Sequence, residues 1–182
     1  GLLIFLAKAA GHVVTDEQKE VSVREVPGHL DCKIDGEVVD CKSASTYSFK
    51  KFQDHGLEQN DPFGYRTQLG SYATAEGARG GHFLVIDKTL GHLCLDSHPD
   101  VAEGVAELIN SRKSIVSSPD TPPRGFHDEP EGKSGNRKLG LECSYCNRKT
   151  ECWPGLKLAM YAGRPTFLTK IVKQPNVEVR NA

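Results

Sequence analysis

Two aspartates and a lysine stand at the ends of two short apolar segments. Asp31 lies near the start of the first segment, and Asp40 and Lys42 lie at the end of the second. The residues Ile34-Asp35-Gly36-Glu37 join them, and Asp-Gly between apolar residues predicts a β-hairpin. Folding this hairpin brings the two acids close together. Paired carboxylates bind Mg²⁺ or Mn²⁺ through hard oxygen ligands, and a neighbouring lysine stabilises charge on a reacting phosphate.

The alternation of side chains along the second strand supports a site at this position. Asp40 and Lys42 are two residues apart and so point to the same face, whereas Cys41 points to the other. An acid and a base on one face of an apolar strand are typical of a functional site. The alternative is a solvated hairpin whose edge carries charges.

The composition indicates a globular protein. The chain has 182 residues, 37% of them hydrophobic and 26% charged, and a formal net charge of −1. This balance gives no general attraction to DNA, so a nucleic-acid surface would be a local basic patch. No apolar run approaches the roughly 18 residues that a membrane span needs. We therefore expect no membrane partner and a cytoplasmic location.

Hydrophobic periodicity and turn residues predict an alternation of helices and strands. Residues 43–59 are expected to form a loop with a short helix, and residues 117–139 an irregular connector. The other predicted elements are a helix over 2–10, strands over 19–26, 29–34 and 37–42, a helix over 62–75 capped by Asp61, strands over 82–87 and 92–95, a helix over 99–116, and a strand over 166–172.

The order of these elements predicts an α/β fold. Its core would be a helix, a three-stranded mixed sheet, a helix and a strand. We expect residues 1–118 to form this core. Residues 119–182 would supply a Pro- and Gly-rich connector, a small cysteine-bearing subdomain and a C-terminal strand that packs back on the core.

A second candidate pair lies on the predicted helix over residues 62–75. Gln68 and Tyr72 are four residues apart and share one helical face, so they can act on one ligand. The amide can orient a water or a phosphate, and the phenol can donate to a phosphate or stack on a base. The alternative is a partly buried tyrosine beside a surface glutamine.

The third constellation is a cluster of cysteines near the C-terminal end. Cys143, Cys146 and Cys152 form a C-x2-C-x5-C pattern, and closely spaced thiolates bind one metal ion or one iron–sulfur cluster. Zinc and [4Fe-4S] clusters both take four ligands, and only three are local. The candidates for the fourth ligand are His127, Cys32, Cys41 and Cys94.

With these constellations in order, the chain resembles the PD-(D/E)xK nuclease superfamily, in its RecB-like exonuclease branch. That branch includes the CRISPR-associated adaptation nucleases. The resemblance is carried by G-x-x-D at Gly28 to Asp31, D-x-K at Asp40 to Lys42, Q-x-x-x-Y at Gln68 to Tyr72, and the cysteine triplet. Further segments resemble phage-encoded nucleases of this type: His12, Asp61-Pro62-Phe63-Gly64-Tyr65 and Gly132-Lys133-Ser134-Gly135-Asn136.

The resemblance implies a restriction-endonuclease-like core over residues 1–118 and a metal-dependent deoxyribonuclease. Asp31, Asp40 and the main-chain carbonyl of Cys41 would hold Mg²⁺ or Mn²⁺, and Lys42 would be the catalytic lysine. Gln68 and Tyr72 would position DNA or the attacking water. The cysteine triplet would hold a [4Fe-4S] cluster or Zn²⁺. A phage-encoded enzyme would act in the cytoplasm of the host cell.

One metal ligand of the family has no evident counterpart in the sequence. The family supplies a Glu or His from the helix before the first strand, and here that helix contains no acid before Asp16. His12 is a candidate, with a capping or core histidine as the alternative. We expect the missing ligand to precede residue 1.

The implied partner is DNA, with single-stranded ends as the expected substrate of an exonuclease. Ser43, Lys50, Lys51 and Arg66 are the candidate contacts to its backbone, and Phe49 or Tyr65 could stack on unpaired bases. Two alternatives keep the same fold: a non-catalytic DNA-binding module, and a zinc-stapled interaction module in which the two acids are incidental.

Overall fold

The computed structural model describes residues 1–120 and 122–182. They form two compact units, Gly1–Pro119 and Asp120–Ala182, each with helices and its own sheet. The fold is therefore mixed α/β. The sequence placed a boundary between residues 118 and 119.

The first unit contains four helices, seven strands and a short 3-10 turn at Gly56–Glu58. Its helices are α1 (Leu2–Ala9), α2 (Thr46–Gln53), α3 (Tyr65–Ala75) and α4 (Val105–Ser117). Its strands are β1 (Val14–Thr15), β2 (Lys19–Val23), β3 (Val26–Leu30), β4 (Cys32–Ile34), β5 (Glu37–Ala44), β6 (Gly81–Asp87) and β7 (Leu93–His98).

The main sheet of this unit has five strands in the order β1-β4-β5-β6-β7. The hairpin predicted around Asp35-Gly36 is present: β4 and β5 are antiparallel, with Cys32 opposite Val39. Strands β5 and β6 are parallel, and α2 and α3 lie between them in the chain. This crossover is the connection that parallel neighbours require. The predicted mixed sheet is confirmed, with five strands instead of three.

The strand predicted over residues 19–26 is not part of that sheet. It forms a separate two-stranded ribbon, in which β2 pairs with β3 from Lys19 opposite Leu30 to Val23 opposite Val26. Arg24 and Glu25 make the turn with positive φ angles of 50° and 64°. Tight hairpin turns of this kind normally use Asn or Gly, so these two residues gave no turn signal.

The two faces of the main sheet pack against different helices. One face carries Val38, Phe83 and Val85, which form the larger core with Leu69 of α3. The opposite face carries Cys32 and Val39, which pack with Ile4 of α1. This separation follows the alternation along β5, because successive side chains point to opposite faces.

Two helices begin later than the periodicity predicted. Helix α3 begins at Tyr65 because Gly64 adopts a left-handed φ of +70°. Asp61 still acts as a cap, since its carboxylate accepts the amide N–H groups of Tyr65 and Arg66 at 2.9 and 2.8 Å. Helix α4 follows another left-handed glycine, Gly104, and begins at residue 105 instead of 99.

The second unit is built on a five-stranded antiparallel sheet in the order β12-β10-β11-β9-β8. The segment predicted as an irregular connector contributes two of its strands. The predicted C-terminal strand is β11, whose hydrogen-bonded neighbours are β10 and β9 of this same sheet. The elements are β8 (Asp128–Pro130), β9 (Arg137–Leu139), α5 (Leu141–Tyr145), α6 (Lys149–Cys152), β10 (Lys157–Tyr161), β11 (Arg164–Lys170) and β12 (Val179–Asn181).

None of the helices in the described parts of the chain has the length and apolar character needed to cross a membrane.

The contact between α3 and the segment leading into α4 depends on a glycine and yields a prediction about stability. A Cβ atom on Gly70 would lie 2.2 Å from the carbonyl oxygen of Val101 and 2.7 Å from Cγ2 of Val105. Alanine is the better helix former by about 1 kcal/mol, but overpacking costs about 1–3 kcal/mol. We expect Gly70→Ala to lower the free energy of unfolding in urea, since backbone atoms must move.

Ser71→Ala is the matched control in the same helix. It removes only a hydroxyl that donates to the carbonyl of Thr67 at 2.7 Å, so we expect a change of less than about 1 kcal/mol. A Gly70→Ala protein as stable as the natural one would contradict this packing.

Candidate active site

The hairpin brings Asp31 and Asp40 to neighbouring positions. Asp31 lies between β3 and β4, and the register of β4 with β5 places it beside Asp40. One oxygen of Asp31, Oδ2, accepts the amide N–H of Cys41 at 2.8 Å. Asp40 itself is only 2% exposed. The two carboxylates thus meet where the ribbon joins the main sheet.

Four of the predicted site residues form a continuous polar chain. The Nζ atom of Lys42 lies 2.8 Å from Oδ2 of Asp40 and donates to Oε1 of Gln68 at 2.9 Å. The amide nitrogen of Gln68 donates to the hydroxyl of Tyr72 at 3.0 Å. These hydrogen bonds link the end of β5 to α3, on which Gln68 and Tyr72 share one face as their i, i+4 spacing predicted.

Gly28 allows Tyr72 to reach this position. A Cβ atom on Gly28 would lie 3.0 Å from ring carbon Cε1 of Tyr72, which is closer than ordinary packing permits. The glycine of the G-x-x-D pattern thus has a steric role. It lets the phenol ring pack against β3, just ahead of Asp31 along the chain.

Burial controls the electrostatics of the site. Burial raises the pKa of Asp40, and the negative charge of Asp31 raises this pKa further. The hydrogen bond and the positive charge of Lys42 lower it in part. Within the described residues, Oδ2 of Asp40 is buried without a hydrogen bond of good geometry, although the ammonium of Lys42 lies 2.8 Å away. Such an oxygen has lone pairs available for a cation.

Gln18 is a site residue that the sequence did not reveal. Its Nε2 atom donates to Oδ1 of Asp31 at 3.0 Å, so both oxygens of Asp31 are held by hydrogen bonds. Gln18 borders a cleft of about 320 Å³ together with Asp31, Lys42 and the first residues of α1. It lies in an irregular turn before β2, and no motif marks it.

Cys32 and Cys41 follow the two aspartates in sequence and are neighbours in the structure. The interaction between their thiols lowers the pKa of Cys32 and raises the pKa of Cys41. Cys32 is fully buried, whereas Cys41 is partly exposed and borders the cleft. Cys41 lies on the face opposite Lys42, as the alternation predicted, and Cys32 lies on the same face as Cys41.

The residues predicted to contact DNA lie around the end of β5 and on α2 and α3. Ser43 and Lys51 line a cavity of about 250 Å³ beside Lys42, and Lys50 is exposed on α2. Arg66 is half-buried, and its guanidinium lies 3.8 Å from Glu58. Ser43 and Lys51 thus share a cavity with the candidate catalytic lysine.

The two aromatic residues proposed for base stacking are not equivalent. Phe49 is 5% exposed and lies in the core, so the interpretation of this residue as a stacking platform is wrong. Its spacing of three residues from Phe52 turns both rings inward. Tyr65 is half-buried, with its ring 6.0 Å from that of Phe52, and the ammonium of Lys42 lies 4.9 Å from its centroid.

His12 is engaged at the other end of the hairpin. Its Nδ1 atom lies 2.6 Å from Oδ2 of Asp35, and the other oxygen of Asp35 accepts the amide N–H of Val13 at 2.9 Å. Asp35 is in the turn between β4 and β5, whereas Asp31 precedes β4. His12 therefore ties the chain after α1 to the hairpin turn instead of joining the two site aspartates.

The cysteine triplet lies within one short segment of the second unit. Cys143 is in α5, Cys146 follows that helix, and Cys152 ends α6. Burial and the neighbouring Cys146 raise the pKa of Cys143. The carbonyl of Cys152 accepts the Nε–H of Arg124 at 2.8 Å.

The four candidates for a fourth ligand are divided between the units. Cys32, Cys41 and Cys94 belong to the main sheet of the first unit, and His127 immediately precedes β8 of the second. Within residues 1–120 and 122–182, no three His, Cys, Asp or Glu side chains form a group that could hold a metal ion by themselves. Both cofactors stay predictions.

No protein-family model matches the sequence, and no curated protein matches it. Among solved structures, the crystal structure of SSO0001 is similar at 18% identity and a TM-score of 0.41, over 83% of this chain and 66% of that one. The chain thus spans slightly less than two thirds of that protein's length.

The buried carboxylate of Asp40 predicts a pH-dependent cost in stability. The pKa of Asp40 is raised in the folded state, above the unfolded value of 3.8. Its contribution to the free energy of unfolding is therefore most favourable below pH 3.8, and it is lost as the pH rises through the folded-state pKa. We expect Asp40→Asn to unfold at a higher temperature than the natural protein at pH 7 without metal. The difference should vanish near pH 3.

Glu103→Gln is the control, because Glu103 is an exposed acid of the same unit. We expect the thermal unfolding of this variant to follow that of the natural protein at each pH. An Asp40→Asn protein that is less stable at pH 7 would contradict the assignment of net electrostatic cost to Asp40.

Proposed function

We propose that the protein is a Mg²⁺- or Mn²⁺-dependent deoxyribonuclease with a PD-(D/E)xK core, acting as an exonuclease on single-stranded DNA ends. The observation that carries the proposal is the chain from Asp40 through Lys42 and Gln68 to Tyr72, with Asp31 beside it. The alternative, a solvated hairpin with charged residues at its edge, does not account for the buried carboxylate. It also does not account for a lysine held between that carboxylate and a helix.

The residues fit a divalent cation. Asp31, Asp40 and the main-chain carbonyl of Cys41 offer hard oxygen ligands, and Oδ2 of Asp40 is buried without a hydrogen bond of good geometry in the described structure. When bound, the ion would polarise the scissile phosphate and make a water more acidic. Gln18 and the Cys41 amide fix the orientation of Asp31 through both its oxygens.

Lys42 is suited to act on the attacking water and the phosphate. Its Nζ is held in place by Asp40 and Gln68 and lies against the ring of Tyr65. A preorganised ammonium stabilises the negative charge that develops on the phosphate in the transition state. Because Asp40 and Gln68 anchor it before substrate binds, it needs little rearrangement during the reaction.

Gln68 and Tyr72 position groups around the lysine. Gln68 accepts from Lys42 and donates to Tyr72, so its amide orientation is fixed from both sides. The Tyr72 hydroxyl is free to turn its own proton toward a DNA phosphate while it accepts from Gln68. Both are therefore positioning residues for the lysine and the DNA.

The cavity beside Lys42 provides a path for the DNA strand. Ser43, Ser45, Ser48, Lys51 and Lys88 supply hydroxyl and ammonium groups to its lining. Such groups contact phosphates without reading the bases, as expected for an exonuclease that acts on many sequences. Lys50 and Arg66 would extend the basic surface around this path.

We also propose that Cys143, Cys146 and Cys152 hold a [4Fe-4S] cluster or a zinc ion. The short spacing of these thiols in one segment supports this assignment. Either group would stabilise the two short helices of the second unit, which have few residues of their own to form a core.

Removing the charge of Lys42 or Asp40 tests the active site. We expect Lys42→Ala and Asp40→Asn each to reduce Mn²⁺-dependent cleavage of 5′- and 3′-labelled single-stranded oligonucleotides at least about 10³-fold, because electrostatic stabilisation at the phosphate is lost. Circular dichroism checks that both variants are folded. Lys113→Ala, a lysine of α4, is the control and should cleave normally.

The outcomes separate the alternatives. Substantial activity in either variant would contradict the proposed site. A natural protein that binds labelled oligonucleotide without cleaving it would favour a non-catalytic DNA-binding module. A protein that binds neither Mn²⁺ nor DNA would favour an interaction module stapled by zinc.

Metal analysis tests the cysteine site. We expect anaerobically purified protein to contain iron and absorb near roughly 400 nm, or to be colourless with bound zinc. The substitution Cys146→Ser should remove most of this iron or zinc, whereas Ser144→Ala, which removes a hydroxyl that donates to the carbonyl of Leu141 in the same segment, should not. Equal metal contents in the two variants would contradict a site at the triplet.

A further inference from the structure

Cys32 and Cys41 each directly follow one of the two site aspartates in sequence. Cys32 lies opposite Val39 in the antiparallel pairing of β4 with β5, and Cys41 is two residues further along β5. The two side chains therefore share a sheet face as diagonal neighbours. Both side chains also belong to the same small apolar cluster, which Cys32 forms with Val39 and against which Cys41 packs.

The two thiols differ in access to solvent. Cys41 is partly exposed and borders the cleft that contains Asp31 and Lys42. Cys32 is fully buried in the small apolar cluster beneath α1, with Val39 and Ile4. A small solute can thus reach one sulfur through the cleft, while the other is reached only through its neighbour.

We propose that Cys32 and Cys41 are a modification site: a dithiol that hydroperoxides oxidise to a disulfide, which weakens the hold of Asp31 and Asp40 on a divalent cation. The effect on metal binding rests on the proposed function, whereas the formation of the disulfide is independent of that function.

The reaction balances with one hydroperoxide. Cys41 first gives up its proton, because the thiolate is the nucleophile. Its sulfur then attacks the peroxide, the O–O bond breaks, and a sulfenic acid forms as that proton leaves with the released oxygen as one water or alcohol. The sulfur of Cys32 then attacks that of Cys41, an S–S bond forms, the S–O bond breaks, and a second water leaves. The two thiols supply two electrons and two protons, and a small dithiol reverses the change by exchange.

Closing this bond must move the backbone that carries the site. Diagonal partners in a regular sheet have Cα atoms about 7–8 Å apart, whereas a disulfide holds them at about 4.4–6.8 Å. The start of β4 must therefore approach β5. The hydrogen bond from the Cys41 amide to Oδ2 of Asp31 spans this gap, so its geometry changes as the strands move.

The test compares reduced and oxidised forms of the full chain. Protein reduced with dithiothreitol is treated with hydrogen peroxide, and non-reduced peptides are mapped by mass spectrometry. Mn²⁺ affinity is measured by calorimetry before and after treatment. We expect a peptide linking Cys32 to Cys41 and a loss of Mn²⁺ affinity of about tenfold or more, as for other residues that orient metal ligands. Dithiothreitol should restore the affinity.

Variants separate this pair from the other cysteines. Cys32→Ser and Cys32→Ala should bind Mn²⁺ when reduced and keep that affinity after peroxide, since no partner remains for Cys41. Two different substitutions guard against a folding defect in one of them. Cys94→Ser, which removes a half-buried thiol on β7, should respond to peroxide like the natural protein.

Three results would overturn the proposal. The first is peroxide treatment that oxidises other cysteines and yields no Cys32–Cys41 peptide. The second is a linked peptide with unchanged Mn²⁺ affinity, and the third is an equal loss of affinity in both Cys32 variants. Reduced protein that binds no Mn²⁺ would contradict both the proposed function and the effect of oxidation on Mn²⁺ affinity. In that case the peptide map still decides whether the disulfide forms.

Discussion

The pairing of a buried Asp40 with Lys42 on the same strand is the constraint on which the candidate site depends. Asp40 is 2% exposed, and Lys42 is the cation beside it. A buried carboxylate is costly unless it is paired, so the lysine cannot move away without leaving that charge uncompensated. Gln68 then holds the lysine from the side of α3, and Tyr72 holds Gln68. These contacts connect the end of β5 to α3, which packs on the same face of the sheet through Leu69.

The two faces of the main sheet divide the chemistry between them. One face presents Asp40 and Lys42 toward α3, and the other carries Cys32 and Cys41 beneath α1. Residues of one strand supply both faces, so the backbone of residues 40–42 joins the two sets of side chains. The Cys41 amide, which donates to Asp31, is the most direct connection between the two faces.

Local patterns predicted the parts of the fold that local rules govern. Asp35-Gly36 specified the hairpin, and the alternation along β5 assigned its side chains to the correct faces. The ribbon of β2 and β3 was missed because Arg24 and Glu25 turn with positive φ angles that their types rarely adopt. Phe49 was misread because a helix of eight residues gives too few turns to show which face is buried.

The sequence by itself determined which chemistry is available and on which elements it lies. It placed two acids and a lysine on a hairpin, an amide and a phenol on one helical face, and thiols beside both acids. Only the tertiary structure decided that these groups meet. Strand alternation and helical spacing act over a few residues, whereas the contact of Lys42 with Gln68 spans 26 positions and requires the crossover from β5 to α3. Gln18 joins Asp31 by the same kind of distant contact, which no local pattern encodes.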